Sequence, residues 1–186
     1  EILWVMWAPF DFVNPPPWIK DVIRLALKVV PFTQYAERQF RAMGLTNVEP
    51  AIWLGIEPKI WFPQDRRRLP QVMASLGFAE DTYNILIVMA NQGRKYLREQ
   101  LEAIKLFRQA LPEATPRVYL HSQPARGGAR ALDLDLKELG LEDITLTVDQ
   151  YVLATGGLPE EQMSSIFNCA DVVMDCCLEG FGYSTL

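Results

Sequence analysis

The residues best suited to chemistry stand near the end of the chain: Glu179-Gly180-Phe181-Gly182-Tyr183-Ser184-Thr185-Leu186, directly after the apolar run Asp171 to Cys177. A strand, a turn with two glycines and an incipient helix at the carboxyl edge of a parallel sheet would turn backbone N–H groups toward an anion. Glu179 beside them could accept hydrogen bonds from hydroxyls. An anion next to a polyol is, in outline, the chemistry of a sugar nucleotide. An ordinary Glu-Gly turn leading into a surface helix fits the same residues. The second candidate is Asn91-Gln92-Gly93-Arg94-Lys95, directly after an apolar run ending at Ala90. Two adjacent cations in a strand-to-helix loop suit a diphosphate through charge-assisted hydrogen bonds, with Asn91 and Gly93 at the pocket edge. The plainer reading is a solvated basic first turn.

Other groups carry weaker signals. His121, the one histidine, ends an apolar run at the edge where open α/β sheets bind ligands, as a pocket residue or a plain polar strand end. Arg126-Gly127-Gly128-Ala129-Arg130 reads as a mobile surface loop, and Arg66 to Arg68 as a solvated linker or helix end. Asp175, with Cys176 and Cys177 after it, reads as a strand terminus, since thiolate catalysis needs a nearby base. No G-x-G-x-x-G follows a strand and no G-x-x-x-x-G-K-[ST] occurs, which argues against a dehydrogenase and a P-loop enzyme. Neither a metal site nor a cofactor is expected. Trp4, Trp7, Trp18, Trp53 and Trp61 all precede residue 63 and read as core or interdomain packing.

These groups need a scaffold, and its period is legible. Asn84 to Ala90, Arg117 to Ser122, Asp143 to Val148 and Asp171 to Cys177 are β-rich apolar runs whose starts lie 26 to 33 residues apart. Near-continuous apolar strands at that spacing, with helical patterns between them, predict βα units and a parallel sheet covered on both faces. Leu97, Leu101, Ile104, Phe107 or Arg108, and Leu111 form one helical stripe that Pro112 stops. A second helix is expected from Pro159, with Met163, Ile166 and Phe167 inward. The first third reads as strand Ile2 to Trp7, helix Trp18 to Leu27, strand Lys28 to Phe32, helix Gln34 to Met43 and strand Val48 to Leu54. Pro58, Pro63, Pro70 and the arginine run mark a crossing, placing a boundary near residue 63.

Composition bounds the rest. The 186 residues are 49% hydrophobic and 22% charged, which excludes disordered, collagen-like and coiled-coil classes. The run Ile2 to Phe10 is far short of the ~20 residues a bilayer requires. A net charge of −5 argues against nucleic-acid partners, so any anion site must be built locally. Three cysteines without a C-x-x-C pair fit a reducing, cytoplasmic setting. Residue 1 is not Met, so the chain is expected to be partial, with both α/β units incomplete.

Ile85 to Leu111, Tyr119-Leu120-His121-Ser122, and Cys169-Ala170-Asp171-Val172-Val173 leading into EGFGYSTL together resemble the donor-binding domain of retaining GT-B glycosyltransferases of the glycosyl transferase group 1 type. Val30 to Tyr35, Ile52 to Glu57 and Ile60 to Pro63 look like the close of that family's acceptor domain and its linker, with Leu54 where the family has histidine. The resemblance implies two Rossmann-like units, residues 1–63 on the acceptor side and 64–186 binding the nucleotide sugar. It implies transfer of a sugar from a nucleoside-diphosphate sugar to an acceptor, a glycan, lipid or protein, with retention of configuration. Glu179 is then the candidate catalytic residue, contacting the donor sugar. Arg94, Lys95 and the amides of Gly182, Tyr183, Ser184, Thr185 and Leu186 hold the diphosphate. A nucleotide-sugar epimerase of the same fold and a non-catalytic nucleotide-sugar binding module are the alternatives.

Overall fold

The computed structural model describes residues 3–10, 15–125 and 129–176, which fall into two units, 3–56 and 57–176. In the first, strands β1 (Val5–Ala8) and β2 (Lys28–Pro31) pair in parallel, Val5 opposite Lys28 and Ala8 opposite Pro31. Helix α1 (Pro17–Ile23) connects them and α2 (Gln34–Ala42) follows. Proline suits the first position of α1, where its missing N–H is no loss. That helix stops at Ile23 rather than Leu27 because the chain tightens, Leu25 N–H donating to Val22 and Ala26 N–H to Ile23. The Asn47 amide then takes the Ala26 carbonyl at 2.7 Å and the last helical carbonyl, that of Ile23, at 3.4 Å. Helix α2 starts where the Thr33 hydroxyl accepts from Ala36 N–H at 3.1 Å, and closes at Gly44, whose φ of +76° needs glycine.

The expected strand Val48 to Leu54 is reduced to a single parallel bridge, Val48 to Val29. Three backbone bonds join this segment to β2, Val29 N–H to Asn47, Glu49 N–H to Val29 and Ile52 N–H to Pro31. The rung between the last two fails because its donor on β2 would be Pro31, which has no N–H. Ala51 N–H turns away to the Glu37 carboxylate on α2, at 3.0 Å. Val29, Ala36 and Phe40 are sealed beneath, with Phe10 edge-on to Phe40 at 4.8 Å.

Four of the five tryptophans, Trp4, Trp7, Trp18 and Trp53, are exposed, which corrects the core reading for them. Trp7 lies on the outer strand of the described sheet, with its ring edge on Phe32 and its indole N–H donating to the Ile52 carbonyl. Trp61 packs edge-on against Phe167.

The second unit carries four parallel strands in the order β5-β4-β3-β6: β3 (Tyr83–Val88), β4 (Pro116–His121), β5 (Thr145–Thr147) and β6 (Val172–Val173). Each expected run holds a strand, with ladder pairing shorter than the apolar run in β3, β5 and β6 and equal to it in length in β4. One face of the sheet, Ile85, Ile87, Val118 and Leu120, packs on α4 (Leu97–Ala110) and α5 (Leu132–Leu139). The other, Leu86 and Tyr119, packs on α3 (Pro70–Ser75) and α7 (Glu160–Cys169), with α6 (Gln150–Ala154) between β5 and α7. Burial on alternate faces is why these strands read as continuous apolar runs. Leu111 falls outside the α4 stripe: it lies past the helix end, at φ −135°, and is exposed.

Residues 60–64 are bound to α7. Ser164 hydroxyl donates to the Ile60 carbonyl at 2.7 Å, Asn168 amide to Phe62 at 3.1 Å, and Gln64 N–H to the Asn168 side-chain oxygen at 2.7 Å. Division of the chain accordingly falls between Ile56 and Glu57, ahead of Pro63. The arginine run is a short 3-10 turn, Arg66–Arg68, capped by Asp65 and tied down: Arg66 pairs with Asp171, and Arg67 with Asp65.

Candidate functional site

Strand order decides where a ligand can enter. From β3 the chain steps outward through β4 to β5, then returns to lay β6 on the other side of β3. Strand order therefore reverses between β3 and β6, the kind of switch point at whose carboxyl ends open α/β sheets form a ligand crevice. The segments that border it are 89–96 after β3 and 174–176 after β6.

The loop after β3 is built from its own polar groups. Asn91 is buried, and its side-chain amide donates to the carbonyls of Pro124 and Arg130, both at 2.9 Å. It straps the β4–α5 connection to the β3 loop, so its N–H donors serve the scaffold. Gly93–Lys95 forms a 3-10 turn closed by Lys95 N–H to Gln92 at 2.9 Å, and no atom lies within 4 Å of where a Cβ on Gly93 would stand. Arg94 is exposed and Lys95 half-buried. Tyr96 then adopts φ +48°, a left-handed conformation that costs a bulky residue of order 1 kcal/mol or more. That kink lets α4 begin at Leu97, with its first amides facing the loop.

Gln100 was not among the sequence candidates. It is 3% exposed, and its side-chain amide donates to the Lys95 carbonyl at 3.0 Å, to the Met89 sulfur at 3.4 Å and to the Cys176 carbonyl at 3.4 Å. Its Oε1 is buried without a partner. The available signal was a glutamine at the position one turn after Leu97 on the inward stripe of α4.

His121 closes β4 on the face of Tyr119, ring centroids 6.1 Å apart, and burial pushes its pKa below the usual histidine value. Its Nδ1 is buried without a partner. Arg98 and Arg130 belong to an ion network with Asp135 and Glu138 of α5, so Arg130 holds a helix rather than a free loop. The hydrogen bonds from Arg98 and Arg130 keep the Glu138 carboxyl below the usual range. Cys169 is a core thiol that burial raises to about 11, and Cys176 is an exposed free thiol.

The structure thus gathers Asn91, Gly93, Arg94 and Lys95 in one loop and puts His121 on the adjoining strand. Glu179, Gly182, Tyr183, Ser184, Thr185, Leu186, Cys177 and Arg126 to Gly128 lie outside the described residues. Among the described residues no cluster of three metal-ligating side chains occurs, and no helix is long and apolar enough to cross a membrane.

No family model and no curated protein matches the chain. Solved structures do. Sucrose-phosphate synthase from Thermosynechococcus elongatus is similar with a TM-score of 0.68 at 19% identity, over 89% of this chain and 39% of that one. Anabaena HepE, in complex with UDP and glucose, gives 0.65 at 14% identity over 93% and 46%. WaaG, a glycosyltransferase involved in lipopolysaccharide biosynthesis, gives 0.61 at 16% over 81% and 38%. The fold is GT-B-like. Two Rossmann-like α/β units with parallel sheets make it up, and the chain spans less than half the length of each of these structures. Identities this low carry the fold alone.

Proposed function

We propose that the second unit binds a nucleoside-diphosphate sugar in the crevice between β3 and β6, as the donor half of a retaining glycosyltransferase in which residues 1–63 hold the close of the acceptor side and the linker and 64–186 the donor side. The observation that carries this reading is the switch point itself, bordered by a loop with two adjacent cations in a chain of net charge −5. Anabaena HepE, of similar fold, is a UDP complex, which supports the same ligand class.

In this reading Arg94 and Lys95 neutralise the diphosphate, joined by the first amides of α4 and by those of Gly182 to Leu186. As the glycosidic bond to the diphosphate breaks, negative charge grows on the leaving oxygen. Fixed cations and amides aimed there lower the barrier without reorganising. Glu179 accepts hydrogen bonds from sugar hydroxyls and orients the ring toward an acceptor. Neither a metal nor a cofactor has a part in this scheme.

Calorimetric titration of the chain with uridine, guanosine and adenosine diphosphates tests the reading. Saturable binding of one of them, weakened when Arg94 and Lys95 are replaced by Ala, is the expected result. Absence of binding by all three, or binding indifferent to the double substitution, would discard it.

A further inference from the structure

We propose that Gln100 is a positioning residue for this site: its single carboxamide clasps the carbonyls of Lys95 and Cys176 and so sets the distance between the two segments that flank the crevice. This inference rests on the nucleotide-sugar reading above.

The geometry is specific to a donor. Both partners at the crevice are carbonyl oxygens, one from the loop after β3 and one from the chain leaving β6, at 3.0 and 3.4 Å from the same nitrogen. Backbone contacts tie β3 to β6 further down, through Ile85 opposite Val172 and Met174 N–H to Leu86, and the Gln100 amide continues that tie past the end of the ladder.

The position is otherwise apolar. Leu97, Leu101 and Ile104 surround it on α4, all in the core that packs on Ile87 and Leu120. A glutamine buried there with an unpartnered Oε1 costs stability that a leucine of similar size would not. What the amide supplies in return is a fixed Lys95 carbonyl, which fixes where the Lys95 and Arg94 side chains begin. Displacing charged groups by even an ångström from a bound anion costs affinity steeply. Its role is thus to place the groups that would touch the nucleotide.

The test compares the wild-type chain, Gln100→Leu, Gln100→Glu and the Arg94→Ala/Lys95→Ala double variant, each titrated with uridine, guanosine and adenosine diphosphates and each melted thermally. Gln100→Leu is expected to bind the preferred diphosphate about tenfold or more weakly while melting no lower than the wild type. A merely structural side chain would move both quantities together. Gln100→Glu cannot donate while ionised, so its deficit relative to the wild type should narrow as pH falls and the buried carboxyl protonates. In the wild type, hydrogen exchange should show diphosphate protecting amides in 94–97 and 174–176 together, a readout that needs no variant to fold. Wild-type affinity in Gln100→Leu and Gln100→Glu alongside a loss in the double variant would overturn the role of Gln100 and leave the diphosphate reading standing. Protection confined to one segment would do the same. A wild-type chain that binds none of the three diphosphates would overturn both.

Discussion

Asn84 and Asp171 hold each other twice. Asp171 N–H donates to the Asn84 carbonyl at 2.8 Å, and the Asp171 carboxylate accepts Asn84 N–H, also at 2.8 Å. The second oxygen of Asp171 takes Arg66. This clasp starts β6 on the side of β3 away from β4, and therefore creates the crevice in which the site is proposed. Replacing Asp171 by Ala should remove the side-chain bonds while keeping the backbone one. The cost is expected to be ~1–3 kcal/mol for leaving a buried N–H unpaired, read from urea midpoints of the variant and the wild type. An unchanged midpoint would mean that β6 is held by its backbone bonds and packing without help from the Asp171 carboxylate.

At the loop after β3, the double replacement Arg94→Ala/Lys95→Ala should weaken nucleoside-diphosphate binding by ~1.5–3 kcal/mol for each charged hydrogen bond lost. The melting temperature of the same variant is read beside its affinity, Arg94 being exposed and Lys95 half-buried. Calorimetry with circular dichroism on the same samples separates the two outcomes.

Glu179→Gln is expected to leave binding of the bare nucleoside diphosphate nearly normal and to reduce affinity for the nucleotide sugar, because the carboxylate is assigned to hydroxyls and the amides to phosphate. Equal loss for both ligands would remove that assignment. Trapping a glycosyl ester on Glu179 would make it a nucleophile instead.

His121 supplies a pH prediction. Burial lowers its folded-state pKa, so below the ordinary value of ~6.5 the unfolded chain takes up a proton that the folded chain resists. Its contribution to stability is thus fully present above about pH 6.5 and is lost as pH falls toward the lowered folded-state value. Melting temperatures at neutral and mildly acidic pH should show this drop in the wild type and a smaller one in His121→Phe. As the only histidine, His121 also gives one set of imidazole resonances, whose titration midpoint should lie below that of a histidine peptide.

Much of the scaffold could be read from local pattern. Ile85, Leu86 and Ile87 alternate between two covered faces, so β3 is a continuous apolar run, and Leu97, Leu101 and Ile104 recur at helical spacing. Each depends on neighbours within a few residues, which is why α4 ends within one residue of the position expected from Pro112. The expected strand after α2 failed for a reason outside its own segment: the rung it needed falls opposite Pro31. The cations of the site were legible as charges following a strand. The part played by Asn91 was not, because an amide's type does not tell which carbonyls it will meet.

By itself the amino-acid sequence determined the period of the strands and helices of the second unit and the presence of a cation pair after β3, since these follow from local sterics and side-chain chemistry. The tertiary structure alone decided the order β5-β4-β3-β6, and with it the crevice. That order is maintained by bonds between distant residues, Asn84 with Asp171 across 87 positions and Gln100 with Cys176 across 76. Strand order and the meeting of a glutamine with two carbonyls emerge only when burial of both sheet faces brings those segments together, and no local period encodes that pairing.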